Sequence, residues 1–164
     1  MRALCHVYIK LPVIDLGGIK MQIARLIAVE SDLDFVWSAY SNAYQEVVEC
    51  QFGAWEGKLQ RSAFDEKWHQ GGFEVLQLNG TSVGAVWVTN EGAFLQLREI
   101  FLAPENQGRG IGSQVVRQEL EKAQAVGMSL RLRVLKQSRA IALYERLGFT
   151  RCGETQDQYW MEAI

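Results

Sequence analysis

The sequence has little of what marks several large classes of protein. Two prolines in 164 residues leave no Pro-rich linker, and no run is long and apolar enough to span a bilayer. Three scattered cysteines, Cys5, Cys50 and Cys152, lack the spacing of a zinc site or a disulfide framework. A net charge of −2 gives no basic excess for nucleic acid. We therefore predict a cytoplasmic protein that binds neither nucleic acid nor membrane.

The composition is that of an ordinary globular domain. Hydrophobic residues make up 48% and charged residues 22% of the chain. The first twenty residues are fairly apolar, but Lys10 and Asp15 interrupt them and the segment does not fit a signal peptide. We predict an N-terminal extension of uncertain role at 1–20 and a single domain at 21–164. A chain that starts at Met21 is expected to fold on its own.

Apolar periodicity and turn residues predict strands and helices in alternation. The predicted strands are 23–30, 73–78, 83–88, 93–103, 130–135, 149–155 and 158–163, and the predicted helices are 32–49, 58–69, 110–125 and 138–147. Ser31 is predicted to cap the first helix, and Asn79-Gly80 is predicted to close a hairpin. The order indicates an α/β fold in which helices cover a mixed sheet.

A glycine-rich loop precedes the third predicted helix. Gly108, Gly110 and Gly112 alternate with other residues around Arg109. Free N–H groups at a helix N-terminus favour an anion, glycines let the backbone approach it closely, and an arginine adds charged hydrogen bonds. A tight turn with a surface arginine is the simpler explanation, but three glycines in this place favour a phosphate site.

Two common phosphate loops do not fit this segment. A Walker loop requires a lysine that is missing here. A dinucleotide-binding loop requires a third glycine where Ser113 stands, and an acidic residue after the next strand, which ends at Leu135 and Lys136 instead.

Two segments together resemble the GNAT superfamily of N-acetyltransferases. Residues 107–112, Gln-Gly-Arg-Gly-Ile-Gly, match the superfamily loop Q/R-x-x-G-x-G/A, and residues 140–149 match its second motif, A-x-x-x-Y-x-x-x-G-F. The spacing of the motifs fits, as does the element order from about Met21 onward. The resemblance implies a mixed, mostly antiparallel sheet of about six to seven strands flanked by about four helices.

The same resemblance implies an enzyme that uses acetyl-CoA, or a related acyl-CoA, and needs no metal. The loop would hold the pyrophosphate, and a backbone N–H near Leu102 would stabilise the oxyanion. Gln137 stands where many members carry asparagine, and it can offer an amide to the pantetheine arm. The implied donor-binding residues are Ile100, Phe101, Leu102, Gln107, Gly108, Arg109, Gly110, Ile111, Gly112, Ser113, Gln137, Ala140 and Tyr144.

The resemblance assigns Tyr144 as the general acid that protonates the departing thiolate. Ala140, one turn earlier on the same helix face, leaves room for a slender ligand arm. Members with a side-chain base often carry Glu where this chain has Gln96. Glu99 is the nearest carboxylate, but strand alternation gives it the opposite parity unless a bulge re-aims it. The amine could therefore lose its proton through a water chain, to Glu99 or in solution.

The acceptor is predicted to be a primary amine on a small molecule or a peptide, and a homodimer is left open. The resemblance places its cleft near the first two helices and the late strands. The candidates are Trp37, Tyr40, Tyr44, Glu46, Glu49, Phe52, Trp55, Tyr159 and Trp160. Aromatic residues at helical spacing are more often core, so about two-thirds of these residues should be structural.

The leading hypothesis is direct attack of the amine in a ternary complex. None of the three cysteines has a base beside it in the sequence, which disfavours an acyl-cysteine route. Because position 96 carries no carboxylate, a non-catalytic acyl-CoA-binding or regulatory module is the alternative. A nucleotide-binding oxidoreductase domain is disfavoured by the missing acidic residue.

Overall fold

The computed structural model describes residues 22–164, and the predicted extension at 1–20 lies outside them. The seven strands are β1 (Ile23–Ile27), β2 (Phe73–Leu78), β3 (Thr81–Asn90), β4 (Phe94–Leu102), β5 (Ser129–Leu135), β6 (Thr150–Glu154) and β7 (Gln158–Ala163). The four α-helices are α1 (Leu33–Phe52), α2 (Gly57–Gln70), α3 (Ile111–Ala125) and α4 (Ala140–Arg146). The predicted element order and fold class are confirmed. No helix in this part of the chain is long and apolar enough to cross a membrane.

Local turn chemistry fixes several of the element boundaries. Asn79 and Gly80 have φ values of 52° and 81°, the left-handed pair that a two-residue hairpin requires between β2 and β3. The predicted cap at Ser31 is wrong, because α1 begins after Asp32. The Asp32 carboxylate instead accepts a 2.9 Å hydrogen bond from the backbone N–H of Val29 and closes a 3₁₀ turn that precedes the helix.

The strands form one sheet in the order β1-β2-β3-β4-β5-β7-β6, and helices cover both faces. One core lies under α3 and α4, where Ile111 and Val115 pack on Leu130 and Leu132. The other core lies under α1 and α2 and is largely aromatic, with Tyr40, Phe64, Phe73 and Phe101 in mutual ring contact. The three strands β2, β3 and β4 contribute side chains to both cores, because successive side chains of a strand point to opposite faces.

The sheet opens between its two central strands. All neighbouring strands are antiparallel except β4 and β5, which pair in parallel over Phe94–Leu97 and Ser129–Leu132 only. Beyond these residues β4 continues to Leu102 and β5 continues to Leu135 without pairing to each other. Along this gap, the facing backbone N–H and C=O groups of β4 and β5 do not hydrogen-bond to each other. They are therefore available to a ligand.

Candidate active site

The glycine loop lies at the open end of this gap and leads into α3. Gly108 and Gly110 have φ values of 69° and 81°, which glycine adopts without strain. The first helical hydrogen bond of α3 runs from the Gln114 N–H to the Gly110 carbonyl at 3.0 Å. The N–H groups of Ile111, Gly112 and Ser113 therefore lie in the uncapped first turn, at the positive end of the helix dipole.

A cavity of about 410 Å³ runs from this loop along the gap, and we call it the loop cavity. It passes between α1, the end of β4 and the start of α4. Eight of the predicted donor-binding residues line it: Ile100, Phe101, Leu102, Gln107, Gly112, Gln137, Ala140 and Tyr144. The other five, Gly108, Arg109, Gly110, Ile111 and Ser113, form the loop and the first turn of α3. The Ile111 side chain is fully buried in the core, so only its backbone can face a ligand.

The backbone of Leu102 points into the gap. The Ala103 N–H donates to the Val83 carbonyl at 2.9 Å, on the β3 side of the chain. Because successive residues of a strand direct their N–H groups to opposite edges, the Leu102 N–H points away from β3, towards the gap. The Leu102 carbonyl accepts a 2.9 Å hydrogen bond from the side-chain amide of Gln107, which fixes this stretch to the loop.

A β-bulge in β4 decides where Glu99 points. The register on β3 pairs Trp87 with Glu99 and Val88 with Leu97, so Arg98 is the extra residue. Leu97 belongs to the core under α3 and α4, whereas Glu99 faces α1 and α2. The bulge thus turns Glu99 to the opposite face of the sheet from the one that regular strand alternation predicts. The sequence-based hypothesis required such a turn for Glu99 to face the reacting amine.

Glu99 lies at the centre of a buried polar cluster. Its side chain is 8% exposed and accepts hydrogen bonds from the Tyr44 hydroxyl at 2.7 Å and from Lys67 Nζ at 2.6 Å. Burial, and then the charge and hydrogen bond of Glu99, raise the pKa of Tyr44 well above its usual value. Burial lowers the pKa of Lys67, but Glu99 and Tyr40 together outweigh it, and the net shift is upward. Lys67 therefore stays a cation and Tyr44 a neutral donor at neutral pH.

Tyr144 stands on α4 with its ring held edge-on against Phe149, the two ring centroids 5.7 Å apart. The residue is 7% exposed, and its hydroxyl has no hydrogen-bond partner among residues 22–164. Burial, and then the charge of Glu99, raise the pKa of Tyr144 above its usual value. The hydroxyl is thus a neutral donor without an acceptor among these residues, on a residue that lines the loop cavity.

A second cavity, of about 660 Å³, lies on the other side of Tyr144 and contains the carboxylate of Glu99; we call it the Glu99 cavity. Six residues line both cavities: Ala43, Val47, Ile100, Ser138, Ala140 and Tyr144. Two ligands that enter from opposite sides could therefore meet beside the Tyr144 hydroxyl.

Four of the nine predicted acceptor residues line one of the two cavities. Tyr40, Tyr44 and Phe52 line the Glu99 cavity, and Glu46 lines the loop cavity. Trp37 and Trp55 pack in the aromatic core, while Glu49, Tyr159 and Trp160 line neither cavity.

The residues that line the Glu99 cavity and that sequence reasoning missed include Lys67, Trp87 and Arg133. No local signal distinguishes them from other residues of an amphipathic helix or an alternating strand. Only the packing of α2, β3 and β5 around the gap brings them to the site.

The comparisons with known proteins agree with this architecture. The family model of the acetyltransferase (GNAT) domain matches residues 69–151, just over half of the chain, including both motifs. An uncharacterised N-acetyltransferase of Methanocaldococcus jannaschii is 32% identical over 133 residues, which cover 73% of this chain and 57% of that relative. The chain belongs to the GNAT family of acetyltransferases, and it spans little more than half the length of this relative.

Two solved structures share the fold. PaiA N-acetyltransferase of Thermoplasma acidophilum, in complex with coenzyme A, superposes with a TM-score of 0.67 at 17% identity, covering 87% of this chain and 98% of that one. A protein from Pyrococcus horikoshii gives a TM-score of 0.67 at 19% identity, covering 85% and 96%.

Proposed function

We propose that this protein transfers an acetyl group from acetyl-CoA to a primary amine by direct attack in a ternary complex. The observation that carries the proposal is the meeting of the two cavities at Tyr144. The loop cavity would receive the donor and the Glu99 cavity the amine. Membership of the GNAT family and the coenzyme A complex of a protein with the same fold support this assignment.

The residues around the loop cavity fit the donor. The free N–H groups of the α3 first turn suit a pyrophosphate, and the open backbone edge of β4 suits the amide groups of a pantetheine arm. The cavity is lined there by small or apolar side chains, including Gly112, Ala140 and Val116, so a slender chain can pass. Acetyl-CoA supplies the activated acetyl group as a thioester.

Two groups of the chain would act on the reacting atoms. The Leu102 N–H, which points into the gap, would donate to the carbonyl oxygen as negative charge develops there. The Tyr144 hydroxyl would donate to the leaving sulfur. Both are neutral donors on buried residues, where such hydrogen bonds are stronger than in solution.

Glu99 is best explained as a positioning residue. Both of its oxygens already accept hydrogen bonds, from Tyr44 and from Lys67. The ammonium proton of the acceptor would leave through the open Glu99 cavity to water, while Glu99 holds Lys67 and Tyr44 in place.

Glu99→Gln tests this role. We expect the acceptor KM to rise and kcat to fall, together lowering kcat/KM about fivefold. Acetyl-CoA affinity should not change. Lys67→Met combined with Glu99→Gln should be no worse than either single change if the two residues act as a pair. A loss of kcat beyond about 10²-fold, with loss of the low-pH limb of the pH profile, would instead make Glu99 the base.

A non-catalytic acyl-CoA-binding module is the second candidate, and one observation favours it. Neither carboxylate that lines the Glu99 cavity is free, because Glu91 is paired with Arg98 as Glu99 is with Lys67. A catalytic protein and a binding module would both bind the donor, but only the first would release thiol.

The deciding experiment is performed in two steps on the whole chain. Calorimetry with acetyl-CoA, coenzyme A and NAD tests the donor site, and we expect binding of the first two only. A primary-amine library is then screened for release of free thiol from acetyl-CoA. Donor binding without thiol release for any amine would favour the binding module, and binding of NAD alone would exclude both.

A further inference from the structure

We propose that the acceptor amine also carries a carboxylate, which binds Arg133 on the wall of the Glu99 cavity. The inference rests on the proposed function, since it concerns the second substrate of that reaction. It narrows the acceptor from primary amines in general to compounds of the amino acid class, and it excludes polyamines as the preferred substrates.

The charges that line the Glu99 cavity do not balance. Three cations, Lys67, Arg98 and Arg133, face two carboxylates, Glu91 and Glu99. Lys67 pairs with Glu99 at 2.6 Å, and Arg98 pairs with Glu91 at 2.8 Å. Within residues 22–164, Arg133 has no carboxylate partner. The unmatched charge of the cavity is therefore positive, and it lies on Arg133.

Arg133 is a solvent-exposed residue that lines the cavity. Its neighbours Leu132 and Val134 are buried in the core under α3 and α4, so Arg133 points to the opposite face of β5, where the cavity lies. The guanidinium carbon lies 5.2 Å from the ring centroid of Trp160, the residue opposite on β7. A guanidinium held over an indole keeps its N–H groups available at its edge, and these match a carboxylate in geometry.

The charges of the Glu99 cavity disfavour a polyamine. Each additional ammonium would require a free carboxylate, and both Glu91 and Glu99 are already paired. It would also be repelled by Arg133. A carboxylate on the acceptor would neutralise the unmatched charge of Arg133. The amine of the same molecule could then approach Tyr144.

Arg131 provides a matched control. It lies two residues before Arg133 on the same face of β5, but it pairs with Glu162 at 2.9 Å and does not line the Glu99 cavity. Arg131→Gln and Arg133→Gln remove the same charge from the same strand, so a difference between them reports on the cavity.

The test measures thiol release from acetyl-CoA with amino acids, the matching amino acid amides, and the polyamines putrescine and spermidine. We expect each reactive amino acid to exceed its amide in kcat/KM by about tenfold, because a charge-assisted hydrogen bond is lost in the amide. Arg133→Gln should remove this preference by raising KM for the amino acid alone, and Arg131→Gln should retain it. Equal or better turnover of amides or polyamines would overturn the proposal.

A binding measurement decides the question without turnover. N-acetyl amino acids and their amides, which are the expected products, are titrated into the complex with coenzyme A. We expect tighter binding of the carboxylates, lost in Arg133→Gln and kept in Arg131→Gln; no such preference contradicts the inference. If coenzyme A binds but carboxylates are not preferred, the inference fails alone. If coenzyme A does not bind, the proposed function fails with it.

Discussion

Tyr144→Phe should lower kcat by roughly ten- to a few hundred-fold while the protein stays folded. The change removes one hydroxyl and keeps the ring, which packs against Phe149. Because the hydroxyl has no partner among the described residues, its loss leaves no buried group unsatisfied. The effect should fall at the lower end of general acid catalysis, since a thiolate whose conjugate thiol has a pKa near ~8.5 leaves fairly well unaided.

The measurement compares single-turnover rates with acetyl-CoA affinity from calorimetry. Affinity within about threefold of wild type assigns the loss to the chemical step. A parallel loss of affinity would mean that Tyr144 binds the sulfur without delivering a proton, and equal rates would leave it a packing residue. Tyr159→Phe, which removes a hydroxyl from a residue that lines neither cavity, is the control and should be silent.

The pH dependence of the Tyr144 effect follows from its burial. A phenol with an ordinary pKa would produce a descending limb near pH 10, and this is what the sequence alone predicts. Burial and the charge of Glu99 raise the pKa of Tyr144, so the hydroxyl keeps its proton to higher pH. The wild-type to Tyr144→Phe rate ratio should therefore stay constant from about pH 7 to 10. A ratio that falls within this range would mean that the hydroxyl ionises as it does in water.

Gly110→Val should weaken acetyl-CoA binding by more than about tenfold. Gly110 has a φ of 81°, and a β-branched residue adopts that conformation only under strain. A valine there would both strain the turn and place two methyl groups beside the free N–H groups of α3. Arg109→Ala should have a smaller effect, because the Arg109 side chain is exposed and solvent screens its charge.

Gly80→Val is the control that separates the effect of backbone strain from the effect of a blocked donor site. Gly80 also has a φ of 81°, and in both places an added Cβ meets no atom within 4 Å, but Gly80 lies in the β2–β3 hairpin and lines neither cavity. Both variants should lose about 1–2 kcal/mol of stability. Only Gly110→Val should lose affinity in calorimetry. Equal acetyl-CoA affinity in the two folded variants would show that the glycine loop does not bind the donor.

The element order and both motifs were predictable from the sequence because they depend on neighbours in the chain. Asn79 and Gly80 specify a turn through their own φ values, and the glycine loop is defined by its residues and by the helix that follows. The site residues at 100–102, 107–113, 137, 140 and 144 were named from motifs and a resemblance. Their roles remain predictions for the experiments above.

The tertiary structure decided what depends on register and on packing between distant segments. A bulge at Arg98 is set by how β4 pairs with β3, and it alone turns Glu99 towards α1 and α2. The ion pair of Glu99 joins residues 32 positions apart, and Arg133 lines the cavity just beyond Leu132, where the pairing of β5 with β4 ends. Such contacts have no periodic signal in the sequence, because the partner of each side chain is chosen by the fold. The sequence by itself therefore determined the family and the glycine loop, while the Glu99 cavity, which we propose as the acceptor site, exists only in the folded chain.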